Sequence, residues 1–295
     1  MASSSNTRAI DVINFLAAHP TEAFTLTELA EQLALSHGSA HRVLNALTEA
    51  RYLSRHPKHK TYSLGLALVA IGQAALERHR AVDIARREML KLADQLHVRC
   101  IATTIVEDEM LFVAKEGMPQ TLEELSRVGE RRPFIPPFAL CHVAWATQDK
   151  IEAYFDKASG GISHQMRDCL LKAMAAIRER GYAIAAMGPG MEVLRQAIHK
   201  HASNYRDTEY WQRMHSYISE LDSDEIQLLD LSDLGNREIS FLAAPVFASN
   251  GEVALEISLS GIPANTSATE LKRYVDRLRA MTALITSETH GRMPR

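Results

Sequence analysis

The sequence predicts an α+β protein built from two domains joined by a helix. The first 65 residues show three short stretches of helical periodicity followed by a short hairpin. Residues 66–80 contain good helix formers and no proline, so they predict a linking helix. Strand and helix patterns then intermix through residues 81–295, which predicts an α/β domain with a mixed or antiparallel sheet. A chain of 295 residues is long enough for both domains.

Local signals place each element of the first domain. The first helix ends at His19–Pro20, and Thr25–Glu28 offers a capping hydroxyl followed by an acid for the second helix. Ser36 can cap a third helix that runs to about Ala50. Tyr52–Ser54 and Thr61–Leu64 predict two short strands around a basic turn. The order of these elements is that of a winged helix-turn-helix.

The basic charge of the first domain is concentrated where such a fold meets DNA. Residues 36–60 hold five Lys/Arg against Glu49 alone, and four histidines lie among them. We therefore expect DNA contacts from the third helix and the turn: Ser36, His37, Gly38, Ser39, His41, Arg42, Arg55, Lys58, His59 and Lys60. A protein-binding three-helix module is the alternative. His37 and His41 have helical spacing for a metal, but a third ligand is missing.

Two hairpins and several helices are predicted in the second domain. Residues 98–106 and 110–115 form one hairpin pattern, and residues 238–247 and 252–260 form another around an Asn-Gly turn. Helical patterns fall at residues 139–157, 163–180, 190–220 and 268–287, and residues 182–185 could form a strand.

Composition and motifs argue against several classes of protein. The three cysteines, Cys100, Cys141 and Cys169, have no metal-ligand spacing, so we expect no metal and no cofactor. The polar first residues and the short apolar runs predict a cytoplasmic protein. Adjacent Cys141 and His142 could suggest a nucleophile and a base, but neighbours in sequence seldom face each other, so we expect no enzyme. Gly188–Gly190 lacks the third glycine of a dinucleotide fingerprint.

The first domain resembles the N-terminal domain of IclR-type transcription regulators. The resemblance rests on four motifs, Leu29–Glu31, Ser39–Leu44, Tyr52–Leu53 and Tyr62–Gly65. It implies a regulator that binds double-stranded DNA. Because one recognition helix covers few base pairs, we expect a dimer or a dimer of dimers on a pseudo-palindromic operator. Leu68, Ile71 and Ala75 of the linking helix would form the subunit seam.

The second domain is similar to the effector-binding domain of the same family. Phe241–Phe247, Leu255–Gly261 and Arg178–Ala183 carry this resemblance. It implies a GAF-like sensor domain whose paired strand serines contact a small molecule. The residues expected around that effector are Phe138, Cys141, His142, Trp145, Ala244, Ser258 and Ser260. The alternative is a structural or oligomerising domain that binds no ligand.

Two departures from the family pattern bear on the effector. Ile135–Trp145 stands where relatives carry small residues and a glycine, and Met187–Leu234 is longer than the usual link. The apolar and aromatic side chains of this cover segment favour an aromatic or apolar acid over a small keto acid. These cover residues are Phe134, Ile135, Phe138, Leu140 and Trp145. The long link could cover the pocket or contact another subunit.

Overall fold

The computed structural model describes residues 5–117, 126–158, 161–201, 216–218, 220–229, 231–234 and 237–294. The chain divides into two compact units. The first comprises Met1–His79 with Val128–Glu130, and the second comprises Arg80–Arg127 with Arg131–Arg295. No helix among these described stretches is long and apolar enough to cross a membrane.

The first unit contains three helices, a two-stranded antiparallel hairpin and a fourth helix. Their bounds are α1 Ser5–Ala18, α2 Leu26–Gln32, α3 His37–Glu49, β1 Leu53–Arg55, β2 Tyr62–Leu64 and α4 Ala67–Arg78. Thr25 and Glu28 form the predicted capping box, and Ser36 caps α3. Apolar residues spaced three or four apart on the first three helices meet the buried Leu53 and Tyr62 of the hairpin in one small core.

The hairpin is closed at Gly65, where two backbone segments come very close together. The Gly65 N–H donates to the Tyr52 carbonyl at 2.7 Å. A Cβ atom on Gly65 would lie 2.2 Å from the Arg51 carbonyl oxygen, which is far inside contact distance. Glycine is therefore required at the end of the Tyr62–Gly65 motif by lack of space.

Helix α4 buries none of its side chains despite being mostly apolar. At its start Leu66 is 85% exposed and Val69 is 68% exposed, and Ile71 further along is 48% exposed. Large apolar side chains at this level of exposure mark a surface that suits an association partner.

The second unit is built on a six-stranded sheet in which every neighbouring pair is antiparallel, in the order β5-β4-β3-β8-β7-β6. The strands are β3 Arg99–Val106, β4 Glu109–Glu116, β5 Arg131–Pro133, β6 Ala183–Ala186, β7 Ile239–Phe247 and β8 Val253–Ser260. The helices are α5 Arg80–Leu96, α6 Leu140–Val143, α7 Gln148–Phe155, α8 His164–Arg180, α9 Pro189–His201, α10 Ser223–Ile226 and α11 Ala268–Glu288, and a 3₁₀ turn spans Leu231–Leu234.

The two faces of the sheet are covered by different layers. Helices α5 and α11 pack on one face over Leu255, Ile257 and Leu259 of β8. Helices α6 to α8 pack on the other face, together with α10. The fold is therefore α+β, with a curled antiparallel sheet between helical layers, as the sequence predicts.

One sequence prediction for the helices needs correction, and another is tested only in part. The helix predicted over residues 139–157 is two helices, because Thr147 adopts an extended N-cap conformation that starts α7. The helix predicted over residues 190–220 is helical where the structure describes it, in α9, which is Pro189–His201, and at residues 216–218; residues 202–215 lie outside the described part of the chain.

Replacing Gly65 by alanine should destabilise the first unit by about 1–3 kcal/mol, because the new methyl group meets the Arg51 carbonyl. Hydrogen exchange of amides in residues 52–64 of the full-length protein should become faster. Gly72→Ala is the matched control. It lies in α4 with nothing within 4 Å of the added carbon, so it should stabilise that helix by about 1 kcal/mol. Equal exchange in the two variants would contradict the steric argument.

Candidate functional site

Helix α3 of the first unit presents a polar, partly basic face to solvent. His37, Gly38, His41 and Arg42 are exposed, whereas Val43 and its apolar neighbours face the core. Nothing lies within 4 Å of the position that a Cβ atom would take on Gly38. Another surface can therefore approach the first turn of α3 closely.

Ser39 does not belong to that exposed face. Its side chain is 7% exposed and accepts a hydrogen bond of 2.7 Å from Nη1 of Arg8 on α1. The Ser39 backbone N–H donates to Oγ of Ser36, which is the cap of α3. The prediction of a DNA contact at Ser39 is therefore withdrawn, because this residue fastens α1 to the start of α3.

The hairpin turn supplies the second part of the basic surface. Arg55, Lys58, His59 and Lys60 are all exposed. Nδ1 of His56 accepts the backbone N–H groups of Lys58 and His59 at 3.2 and 3.1 Å, and its carbonyl accepts the Lys60 N–H at 2.9 Å. These bonds give the turn a fixed shape, so its lysines are held on one short loop.

Two residues near this surface, His56 and Asn45, are not identified by the sequence analysis. His56 shapes the turn, although its position among basic residues suggested only charge. Asn45 lies one turn after His41, with its amide nitrogen 3.4 Å from the His41 ring nitrogens. The spacing of His37, His41 and Asn45 at intervals of four could have revealed the shared face. Asn side chains can bond both polar atoms of an adenine edge.

A cavity of about 400 Å³ lies inside the second unit. Its floor is the sheet face opposite α5 and α11, and its walls come from residues 137–141 and from residues of α9 and α10. The described part of the long 187–234 link therefore forms one wall, through Met187, Met191 and Ile226. The volume falls in the usual range for small-molecule sites.

Four of the seven residues expected around an effector line this cavity, namely Phe138, Cys141, Ser258 and Ser260. The prediction that Ala244 lies around the effector is wrong, because Ala244 faces the α5–α11 layer. Its neighbour Ala243 faces α6 on the other side of the sheet. Trp145 packs edge to face on Phe247 with ring centroids 5.1 Å apart and does not reach the lining.

His142 is also outside the lining. Its Nε2 is buried, without a hydrogen-bond partner among the described residues, and burial lowers the pKa of the imidazole to about 4. The neighbouring thiol of Cys141 is fully buried and 3.9 Å from the Ala243 carbonyl, and burial raises its pKa well above the usual value. An imidazole with its pKa lowered in this way is a weak base, and it lies outside the cavity that Cys141 borders.

Arg99, Thr103 and Glu256 also line the cavity and were missed from the sequence. Arg99 is 6% exposed and donates to the Gly117 carbonyl at 3.0 Å. Thr103 is 5% exposed, and its Oγ1 finds no partner in the described ranges. Glu256, like Ser258 and Ser260, lies at an even position of β8, so the three side chains share one face of the strand. This period of two is the sequence signal that could have identified Glu256.

The Gly188–Gly190 segment has a packing role instead of a phosphate-binding one. Glu225 is buried, and its carboxylate accepts the Met191 N–H at 2.7 Å and the Asp222 N–H at 3.0 Å. A Cβ atom on Gly188 would lie 2.4 Å from Oε1 of Glu225, and one on Gly190 would lie 2.9 Å from Oε2. The two glycines leave room for the carboxylate that caps the first turn of α9.

The pKa of Glu256 gives a prediction for stability. Burial raises the pKa of this carboxyl from its ordinary value of 4.5 to about 7, while the Cys141 N–H opposes the shift. Burial, and secondarily the charge of Glu256, raise the pKa of the Cys141 thiol and the Tyr154 phenol. From about pH 4.5 to about 7 the unfolded chain loses the proton first, so the free energy of unfolding should fall with pH.

In the Glu256→Gln variant, the free energy of unfolding should no longer fall as the pH rises. Above about pH 7 this variant should be more stable than the wild type, by as much as about 3 kcal/mol. Denaturant unfolding of both proteins across this pH range measures it. Glu252→Gln is a control of opposite sign, because a hydrogen bond from Lys150 lowers the Glu252 pKa and stabilises the folded state once the carboxyl is ionised. A Glu256→Gln effect that is the same at low and high pH would contradict the assignment.

Comparison with known proteins bears on both sites. The family model described as the IclR helix-turn-helix domain matches residues 5–57, and that described as bacterial transcriptional regulator IclR C-terminal matches residues 73–187. The HTH-type transcriptional regulator KdgR of Escherichia coli (strain K12) is 25% identical over 166 residues. These are 53% of this chain and 62% of KdgR, which is less than two thirds of that relative.

Solved structures share the fold at low sequence identity. An IclR transcriptional regulator from Alicyclobacillus acidocaldarius gives a TM-score of 0.66 at 19% identity, covering 98% of this chain and 100% of its own. An IclR homologue from Microbacterium hydrocarbonoxydans, solved with 4-hydroxybenzoate, gives 0.64 at 17% identity, covering 97% and 99%. With both domain models matched in order, this chain belongs to the IclR family of bacterial transcriptional regulators.

Proposed function

We propose that this protein is a transcription regulator that binds double-stranded DNA through α3 and the hairpin turn. The observation that carries this proposal is the exposed basic surface of the first unit, in which Arg42, Lys58 and Lys60 are all open to solvent. Arg42 is suited to a guanine edge, and the two lysines are suited to phosphates. Membership of the IclR family supports the same function, which is exercised in the cytoplasm.

A small-molecule effector in the cavity controls DNA binding. The cavity combines an apolar lining with a few polar groups, including Arg99, Ser258 and Ser260, which suits an organic acid. The homologue solved with 4-hydroxybenzoate supports an aromatic acid. Of the cover residues on which the apolar prediction rested, Phe138 and Leu140 line the cavity, whereas Phe134 and Ile135 pack in the layer behind it.

The alternative is a second unit that only stabilises or oligomerises the protein. A second unit of that kind would have a filled interior, with the aromatic residues of Ile135–Trp145 in the space that a ligand would otherwise occupy. A cavity of about 400 Å³ lined by buried Arg99 and Thr103 favours the ligand-binding function instead. The Thr103 hydroxyl, which has no hydrogen-bond partner among the described residues, is costly to bury in this way.

The regulator acts as a dimer or a dimer of dimers on a pseudo-palindromic operator. The exposed apolar side chains of α4 support this assembly, since Val69 is 68% exposed and Ile71 is 48% exposed. Two recognition helices are also needed to read an operator of useful length.

Arg42→Ala should weaken operator binding by about 1–3 kcal/mol and relax preference at one base pair, because Arg42 reads a base edge. Lys58→Ala and Lys60→Ala should instead weaken binding to all sequences. Each should also lower the salt slope, which is the slope of the logarithm of the binding constant against the logarithm of the salt concentration, by about one. Fluorescence anisotropy with the selected operator and a scrambled duplex measures both effects. Lys91→Ala, on α5 of the second unit, is the control and should change neither. Unchanged salt slopes in both turn variants would exclude phosphate contacts from the turn.

Ile71→Glu should reduce the mass of the particle in solution, because it places a charge in the apolar subunit contact of α4. Light scattering at micromolar concentration checks this. Glu77→Gln on the same helix is the control and should keep the oligomeric mass. A wild-type monomer, or an Ile71→Glu variant of unchanged mass, would show that α4 is not the subunit contact.

A further inference from the structure

The floor of the cavity carries a row of polar side chains with chemically different ends. On β8, Glu256, Ser258 and Ser260 share one face because the side-chain period of a strand is two. The neighbouring strand β3 places Thr103 opposite Glu256 and Arg99 opposite Ser260. The two ends are four residues apart, which is about 13 Å between Cα atoms along a strand.

The Arg99 end is suited to a carboxylate. The Arg99 guanidinium is buried and its position is fixed by the bond from Nη2 to the Gly117 carbonyl. Lys115 lies next in line on β4, opposite Ile101, and also borders the cavity. A buried guanidinium, an ammonium group and the Ser260 hydroxyl together provide donors and positive charge for an anionic group.

The Glu256 end is suited to a hydroxyl group. The Glu256 carboxyl is enclosed, and the ion pairs of the described residues include none to it. The adjacent Thr103 is nine-tenths buried and its Oγ1 is unpartnered in the part of the chain that the structure describes. A ligand hydroxyl can donate to Glu256 and accept from Thr103, so it satisfies both residues at once.

Between the two ends the lining holds the Ser258 hydroxyl and a set of apolar side chains, with Ile101, Phe138 and Phe241 among them. We propose that the cavity selects hydroxylated carboxylic acids, with the carboxylate at Arg99 and Ser260 and the distal hydroxyl at Glu256 and Thr103. This inference rests on the proposed function, and it adds a specificity-determining pair that recognises the second end of the effector.

Calorimetric titration of the full-length protein with matched acids tests the proposal. The probes are 4-hydroxybenzoate, 3-(4-hydroxyphenyl)propanoate and 4′-hydroxybiphenyl-4-carboxylate, each paired with the same acid lacking the hydroxyl. The wild type should bind the hydroxylated member of at least one pair tenfold or more tightly, because a site built for a hydroxyl rejects the analogue that leaves its polar groups unpaired.

Glu256→Gln and Thr103→Val should each reduce that preference by tenfold or more. Thr103→Ser keeps the hydroxyl and should retain the preference, which separates recognition from misfolding. Glu179→Gln, an exposed residue of α8, is the matched control. Equal affinity within every pair, preference that survives in both variants, or no binding of any of the six acids would overturn the proposal. If some other metabolite released the protein from DNA, the proposed function as a ligand-controlled regulator would hold in each of these cases.

Discussion

The twofold period of side chains along β3 and β8 determines the organisation of the second unit. Leu255, Ile257 and Leu259 point to α5 and α11 and form the main core, so the residues between them must face the other way. Those residues are Glu256, Ser258 and Ser260, and they meet the cavity. The polar floor is therefore a consequence of the same register that builds the core, and a slip by one residue would exchange the two.

A comparable constraint organises the first unit through the period of α3. Val43, Leu44 and Leu47 must face the small core, which leaves His41 and Arg42 on the outer surface. The bond from Arg8 to Ser39 fixes the first turn of α3 against α1. Basic groups on a helix held in this way lose less conformational freedom when they bind DNA than groups on a free segment would.

Features with local signals could be predicted from the sequence, whereas features set by distant contacts could not. The hairpin strands, the caps at Thr25 and Ser36 and the final helix depend on neighbouring residues, and all of them are found. The burial of Ser39 depends on Arg8, which is 31 residues away. The motif does not state which way each alanine of β7 faces, and neither Ala243 nor Ala244 lines the cavity. Glu256 was within reach, since it shares the parity of Ser258 and Ser260.

The proposed binding site accounts for the position of Glu256. A carboxyl enclosed without a cationic partner in the described chain lowers stability at neutral pH, and an apolar residue there would remove that cost. The unpartnered Thr103 hydroxyl on the adjacent strand adds a second cost at the same place. Folded proteins concentrate such departures from good packing where a ligand later supplies the missing partner. Two of them side by side on the floor of one cavity are more simply explained by a common ligand group than by two independent packing defects.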